Sequence, residues 1–187
     1  MAIEESFMLL PMGLLGQNIT CDSDRVWMTK THYPQDVPGS APFTANKMIV
    51  IGRNPIDVIP SLANLVNTQS HSLEINEQYH VDFPEFWANW VTQMTQNIKK
   101  NHEDVLELAA TIPTYFLRFE DLKTQPKDVL LFMFAFLLDV DINRIYGTVA
   151  ERRILEVMES GYMNKAAYKL KDTTRNLSRQ RHMYSDA

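Results

Sequence analysis

Lys30, His32, Arg53 and Ser61 are the residues of this chain whose types and spacing could do chemistry. In Lys30-Thr31-His32-Tyr33-Pro34 a cation and a possible base stand with one residue between them. In Arg53-Asn54-Pro55-Ile56-Asp57-Val58-Ile59-Pro60-Ser61 a guanidinium and a hydroxyl are separated by what reads as the first turns of a helix. Together these groups suit an anion held next to a hydroxyl that must lose its proton. Imidazole is a fitting base because its unperturbed pKa, about 6.5, lies near working pH. Plainer roles stand beside these: His32 as a satisfied loop residue, Arg53 paired with Asp57 one helical turn on, and Ser61 bonded back to its own helix carbonyl.

The elements that must position these residues follow from periodicity. Val26–Met28 lies in a short β-prone run that ends at the Lys30 motif. Residues 34–46 carry Pro34, Pro38, Gly39, Ser40, Pro42 and Asn46, a loop composition. Met48–Gly52 is almost wholly apolar, as a buried parallel strand should be. Asn54 then offers a helix cap with Pro55 at the first helical position. Arg53 is thereby delivered to the C-terminal end of a strand beside a helix N-terminus, a place that favours anions. Pro60 should delete one backbone hydrogen bond and kink that helix.

Residues 67–83 read as a long polar surface loop. From Pro84, Phe86, Trp87, Trp90, Val91, Met94 and Ile98 recur at helical spacing, with both tryptophans expected in the core. A second helical stretch surrounds Glu103 to Ala110. Thr114–Phe119 reads as another buried strand ending at Glu120-Asp121-Leu122, and residues 126–138 as a strongly apolar helix. One or two further helices follow Asn143, with Ile154, Leu155 and Met158 as apolar positions. Strands alternating with helices predict an α/β domain with a parallel sheet flanked by helices.

The 187 residues fit one domain, 1–187, with enough chain for a sizeable core. Apolar content of 45% with 22% charged residues argues against wholesale disorder. A net charge of -5 gives no reason to expect nucleic acid as a partner. Charge is uneven all the same: residues 165–187 form a basic C-terminal tail. Cys21 is the only cysteine, so neither an intrachain disulfide nor a cysteine-based zinc site can form, and no metal is expected. The apolar run 7–15 is too short to span a membrane and lacks the flanks of a secretory signal. No membrane segment is expected, and the compartment expected is cytoplasmic.

The KTHYP run, the strand with RNPIDVIPS, the aromatic helix of Phe86 to Trp90, and FLRFEDL followed by Pro126 and Phe136-Leu137 resemble, in this order, the sulfotransferases that use 3′-phosphoadenosine 5′-phosphosulfate (PAPS). The likeness covers roughly residues 25–140. It implies a fold similar to that of the P-loop-containing nucleoside triphosphate hydrolases and PAPS as co-substrate. It further implies transfer of a sulfuryl group to a hydroxyl or amine acceptor. By resemblance, His32 is the general base and Lys30 meets charge developing on the sulfuryl group, while Arg53 and Ser61 grip the 3′-phosphate of the nucleotide.

The chain also departs from that pattern. Residues 1–29 hold nothing like the PKSGTT loop that cradles the 5′-phosphosulfate, and residues 160–187 hold no RKGxxG segment. A tyrosine frequent before Glu-Asp-Leu is Phe119 here, which removes a hydroxyl. The expectation is an incomplete domain that loses its first strand and loop and binds PAPS weakly by itself. Two readings stay open: a sulfotransferase completed by an upstream segment, a partner chain or a second copy, or an inactive sulfotransferase-derived scaffold or interaction subunit.

Overall fold

The computed structural model describes residues 27–28, 45–69, 74–76 and 78–159. Lys30, His32, Val26 and the basic tail 165–187 lie outside the described residues. The chain divides into two compact units, Met1–Asn46 and Lys47–Ala187, and all elements below belong to the second. In the first unit, Trp27 and Met28 are exposed and belong to no strand, so the expected strand Val26–Met28 is not found at its two described positions. Their aromatic and apolar character signalled β propensity, which is a weak guide taken alone.

The two other expected strands are present but not buried as expected. No residue of Met48–Gly52 is buried, Ile51 is 59% exposed, and only Leu117 of Thr114–Arg118 is buried, because a two-stranded sheet leaves much of its faces uncovered. β1 (Met48–Gly52) and β2 (Thr114–Arg118) pair in parallel, with Met48 opposite Thr114 and Gly52 opposite Arg118. A parallel pair requires a long crossover. That connection contains α1 (Pro55–Thr68), the single turn α2 (Tyr79–Asp82) and α3 (Pro84–Ala109). After β2 come α4 (Phe119–Thr124), α5 (Pro126–Leu138), a 3-10 turn at Ile142–Arg144 and α6 (Val149–Glu159). The architecture is α/β, a small parallel sheet flanked by helices.

Three local expectations need correction. The strand expected over Thr114–Phe119 ends one residue early, because Phe119 opens α4. Residues 84–109 form one helix of 26 residues, not two, since no glycine or proline interrupts the chain between Pro84 and Ala109. The polar segment 67–83 is not all loop: α1 reaches Thr68, and Tyr79–Asp82 makes a turn of helix.

Pro60 sits inside α1, and the helix still runs on to Thr68. Proline can give no N–H to the carbonyl four residues back. Burial compensates: Ile59, Pro60 and Ala63 are buried on α1, and Trp87 of α3 is buried too. The Trp90 indole Nε1–H donates to the Ile59 carbonyl at 3.3 Å, tying α3 to α1 beside the proline. Trp87 is therefore core, as expected, and Trp90 is half-buried.

The principal core lies between α5 and α6. Leu131, Ala135, Ile145 and Ile154 are buried together, with Leu130, Phe134, Val140 and Ile142 packed around them. Phe132 is 51% exposed, so the apolar run of α5 does not all face inward. Of the apolar positions expected on α6, Ile154 is buried, Leu155 half-buried and Met158 exposed. Lys47 anchors this helical pair to the sheet. Its Nζ donates to the Phe136 and Leu137 carbonyls at 2.7 and 3.1 Å and pairs with Asp139 Oδ1 at 2.6 Å. The last carbonyls of α5, which have no partner within the helix, are capped by a cation from the start of β1.

Candidate functional site

The C-terminal ends of β1 and β2 lie side by side, because Gly52 is opposite Arg118 in the register. Arg53 follows one strand and Phe119-Glu120 the other. The Asn54 backbone N–H donates to Glu120 Oε1 at 2.9 Å, so a carboxylate from the second strand end fixes the turn that presents Arg53. Arg118 Nε lies 3.8 Å from Glu120 Oε2 and Arg118 Nη1 lies 4.0 Å from Asp121.

Burial by itself raises the Glu120 pKa, since the side chain is only 12% exposed. Hydrogen bonds from the Asn54 and Glu120 backbone N–H groups, with the charges of Arg118 and Arg53, outweigh it. The net effect lowers the carboxyl below its ordinary value. Glu120 is thus held as an anion with a structural task.

The N-terminus of α1 is less open to a ligand than the sequence implies. Asn54 caps it as expected, its side-chain oxygen accepting from Ile56 N at 3.1 Å, and Pro55 occupies the first helical position. Asp57 N and Val58 N both donate to the Asn54 carbonyl at 3.0 Å. Since Asn54 N is engaged by Glu120 and proline has no N–H, every backbone donor of this first turn is already committed. An anion arriving here must be held by side chains.

Two such side chains are present. The Arg53 guanidinium carbon lies 4.9 Å from the centroid of the Phe119 ring, and Lys123 Nζ lies 4.8 Å from the same centroid. Among the described residues no ion pair joins Arg53 to Asp57, so that plainer role is not taken. Lys123 titrates below its ordinary value, first from burial and then from the Arg53 charge, with Glu120 opposing both. Two cations thus share one aromatic ring.

Ser61 is half-buried two turns into α1, about 10 Å along the helix axis from its cap. Among the described residues its hydroxyl makes no back-bond to the helix and no hydrogen bond to Arg53. The structure brings Arg53, Phe119, Glu120 and Lys123 together, with Ser61 two turns further along α1. Lys123 escaped the sequence reading, although its signal was there: a lysine four residues after Phe119 must lie over the ring once Phe119 opens a helix.

The sulfotransferase domain family model matches residues 21–186. The chain belongs to the sulfotransferase domain family. The match runs beyond the resemblance read over residues 25–140, to include α6 and the segment after it. No curated protein and no solved structure matches the chain. Sulfotransferases carry a sulfuryl group from a nucleotide donor to an acceptor. Among the described residues no group of histidine, cysteine or acidic side chains could hold a metal ion. No helix among them is long and apolar enough to cross a membrane.

Proposed function

We propose that the chain is a sulfotransferase-type protein whose donor is PAPS, with Arg53 and Ser61 gripping the 3′-phosphate and Lys30 and His32 serving the transfer step. The observation that carries this reading is Arg53 at the end of β1, exposed and held beside Phe119 with Lys123 near it. Guanidinium suits phosphate because its planar fork meets two oxygens at once.

In sulfuryl transfer a bond forms between the acceptor oxygen and sulfur, and the bond from sulfur to the oxygen on the 5′-phosphate breaks. One proton leaves the acceptor, and His32 accepts it. Negative charge builds on the bridging oxygen, and the Lys30 ammonium meets it. Arg53 holds the nucleotide equally before and during transfer, so its contribution is to binding. Affinity of the chain alone is low in this account, because the first-turn amides of α1 are already used and side chains must do the holding. The acceptor is a hydroxyl or an amine.

The test is sulfuryl transfer by the chain, measured for the native sequence and for His32→Ala. Transfer that disappears with His32 while thermal stability holds supports the catalytic reading. A native protein with no transfer and no binding of PAPS or adenosine 3′,5′-bisphosphate would sink it in favour of a scaffold.

A further inference from the structure

We infer that Lys123 is a further phosphate-binding residue, which together with Arg53 beside the Phe119 ring forms a two-cation seat for the 3′-phosphomonoester of the nucleotide. The inference rests on the proposed role of Arg53 and extends it to a residue no motif assigns.

Arg53 and Lys123 stand in an unfavourable arrangement. One cation near a half-buried phenyl ring is weakly attracted to its face. A second cation at the same ring gains a similar amount but is repelled by the first. Here Arg53 arrives from the end of β1 at 4.9 Å and Lys123 from α4 at 4.8 Å. Among the described residues neither has a carboxylate within ion-pair distance, and the charge of Glu120 offsets the effect of Arg53 on Lys123 only in part. The nearby carboxylate, Glu120, is turned to the Asn54 amide and to Arg118. A phosphomonoester carries close to two negative charges and three acceptor oxygens, and it would convert the repulsion into a pair of charge-assisted hydrogen bonds.

The chemistry of the neighbours narrows the ligand further. With the first-turn amides of α1 committed, a neutral or weakly acidic group finds no free backbone donor there. Phe119 contributes a flat apolar surface and no hydroxyl, so the donors come from the two flanking cations. Burial and Arg53 both act to weaken the Lys123 ammonium's hold on its proton. An arriving dianion reverses that balance, and Lys123 is therefore charged most securely when the seat is filled.

The test is a nuclear magnetic resonance titration of the 187-residue chain, followed at the Phe119 ring signals, with adenosine 3′,5′-bisphosphate and with adenosine 5′-monophosphate up to millimolar concentration. Lys123→Gln should weaken the bisphosphate by about ten-fold, as loss of one charge-assisted contact does. It should leave the monophosphate unmoved, and Lys123→Arg should keep most of the affinity. Arg53→Gln should show the same selectivity. If Arg53→Gln weakens the bisphosphate and Lys123→Gln does not, the inference is overturned while the role of Arg53 stands. If Lys123→Gln weakens both nucleotides alike, Lys123 is a diffuse charge and the inference fails. If neither substitution matters, or the native chain binds neither nucleotide in the millimolar range, the inference and the reading beneath it fail together.

Discussion

Asn54 and Glu120, 66 residues apart in sequence, are joined by a 2.9 Å hydrogen bond from backbone N–H to carboxylate. It fastens the two strand ends to each other at the point where Arg53 leaves the sheet.

Removing that carboxylate should loosen the site and cost stability. Glu120→Ala is expected to lower unfolding free energy by about 0.5–1.5 kcal/mol, the range for one hydrogen bond to an exposed backbone donor. Glu120→Gln, which keeps an acceptor oxygen, should cost less. Chemical denaturation of the two variants beside the native protein checks the order.

The same carboxyl makes stability depend on acid. Its folded pKa is depressed below the ordinary 4.5, so its contribution is complete above about that pH and is lost as pH falls through the folded value. Denaturation midpoints of the native chain should drop more steeply below pH 4.5 than those of Glu120→Gln. Parallel curves for the two proteins would contradict the assignment.

Kinetics should separate binding from chemistry in an active form. Arg53→Ala should raise KM for PAPS with little change in kcat, because a uniform binding contact is lost. Lys30→Ala and His32→Ala should lower kcat, and for His32 the pH profile should lose the limb set by imidazole. Steady-state rates at saturating acceptor distinguish these outcomes. A fall in kcat for Arg53→Ala as deep as for His32→Ala would show the roles to be wrongly divided.

Lys47→Met keeps the aliphatic stem but removes the ammonium that caps α5. A loss of about 1–2 kcal/mol is expected, mostly from the two carbonyl contacts. The ion pair with Asp139 adds little, since that carboxylate is 81% exposed. Asp139→Asn should therefore be nearly neutral in a thermal melt, whereas Lys47→Met should not.

Leu131 is 1% exposed at the centre of the α5–α6 core. Leu131→Ala should cost about 2–5 kcal/mol through lost burial and the cavity left behind. Calorimetry would detect it as a clear fall in Tm.

Much of this arrangement was legible from residue types. The unbroken apolar run of Met48–Gly52, the Asn54-Pro55 cap and the proline-led helix from Pro126 all declare themselves locally, and each is found. What was hidden depends on partners distant in sequence. Trp27 and Met28 have strand-forming side chains but no ladder, which their neighbours could not reveal. The pairing of Glu120 with Asn54 exhausts the amides that made the α1 terminus look like an anion trap, and only the register of β1 on β2 brings those residues together. Lys123 was invisible as a site residue because its neighbour in space, Arg53, enters from the other strand.

The parallel pairing of β1 with β2 also dictates when the site can come into being. The two strands meet only after the whole crossover of α1, α2 and α3 has closed on itself. Chain closure over such a span carries an entropic cost that grows with the logarithm of its length, and it delays contacts so far apart. The core of Leu131, Ala135, Ile145 and Ile154 is assembled from neighbouring helices and needs no such closure. Folding should therefore begin there and reach the strand ends last. In transition-state terms, Leu131→Ala should slow folding, whereas Glu120→Ala should chiefly hasten unfolding. A refolding chain would acquire its helical half early and its paired strand ends only with the final step.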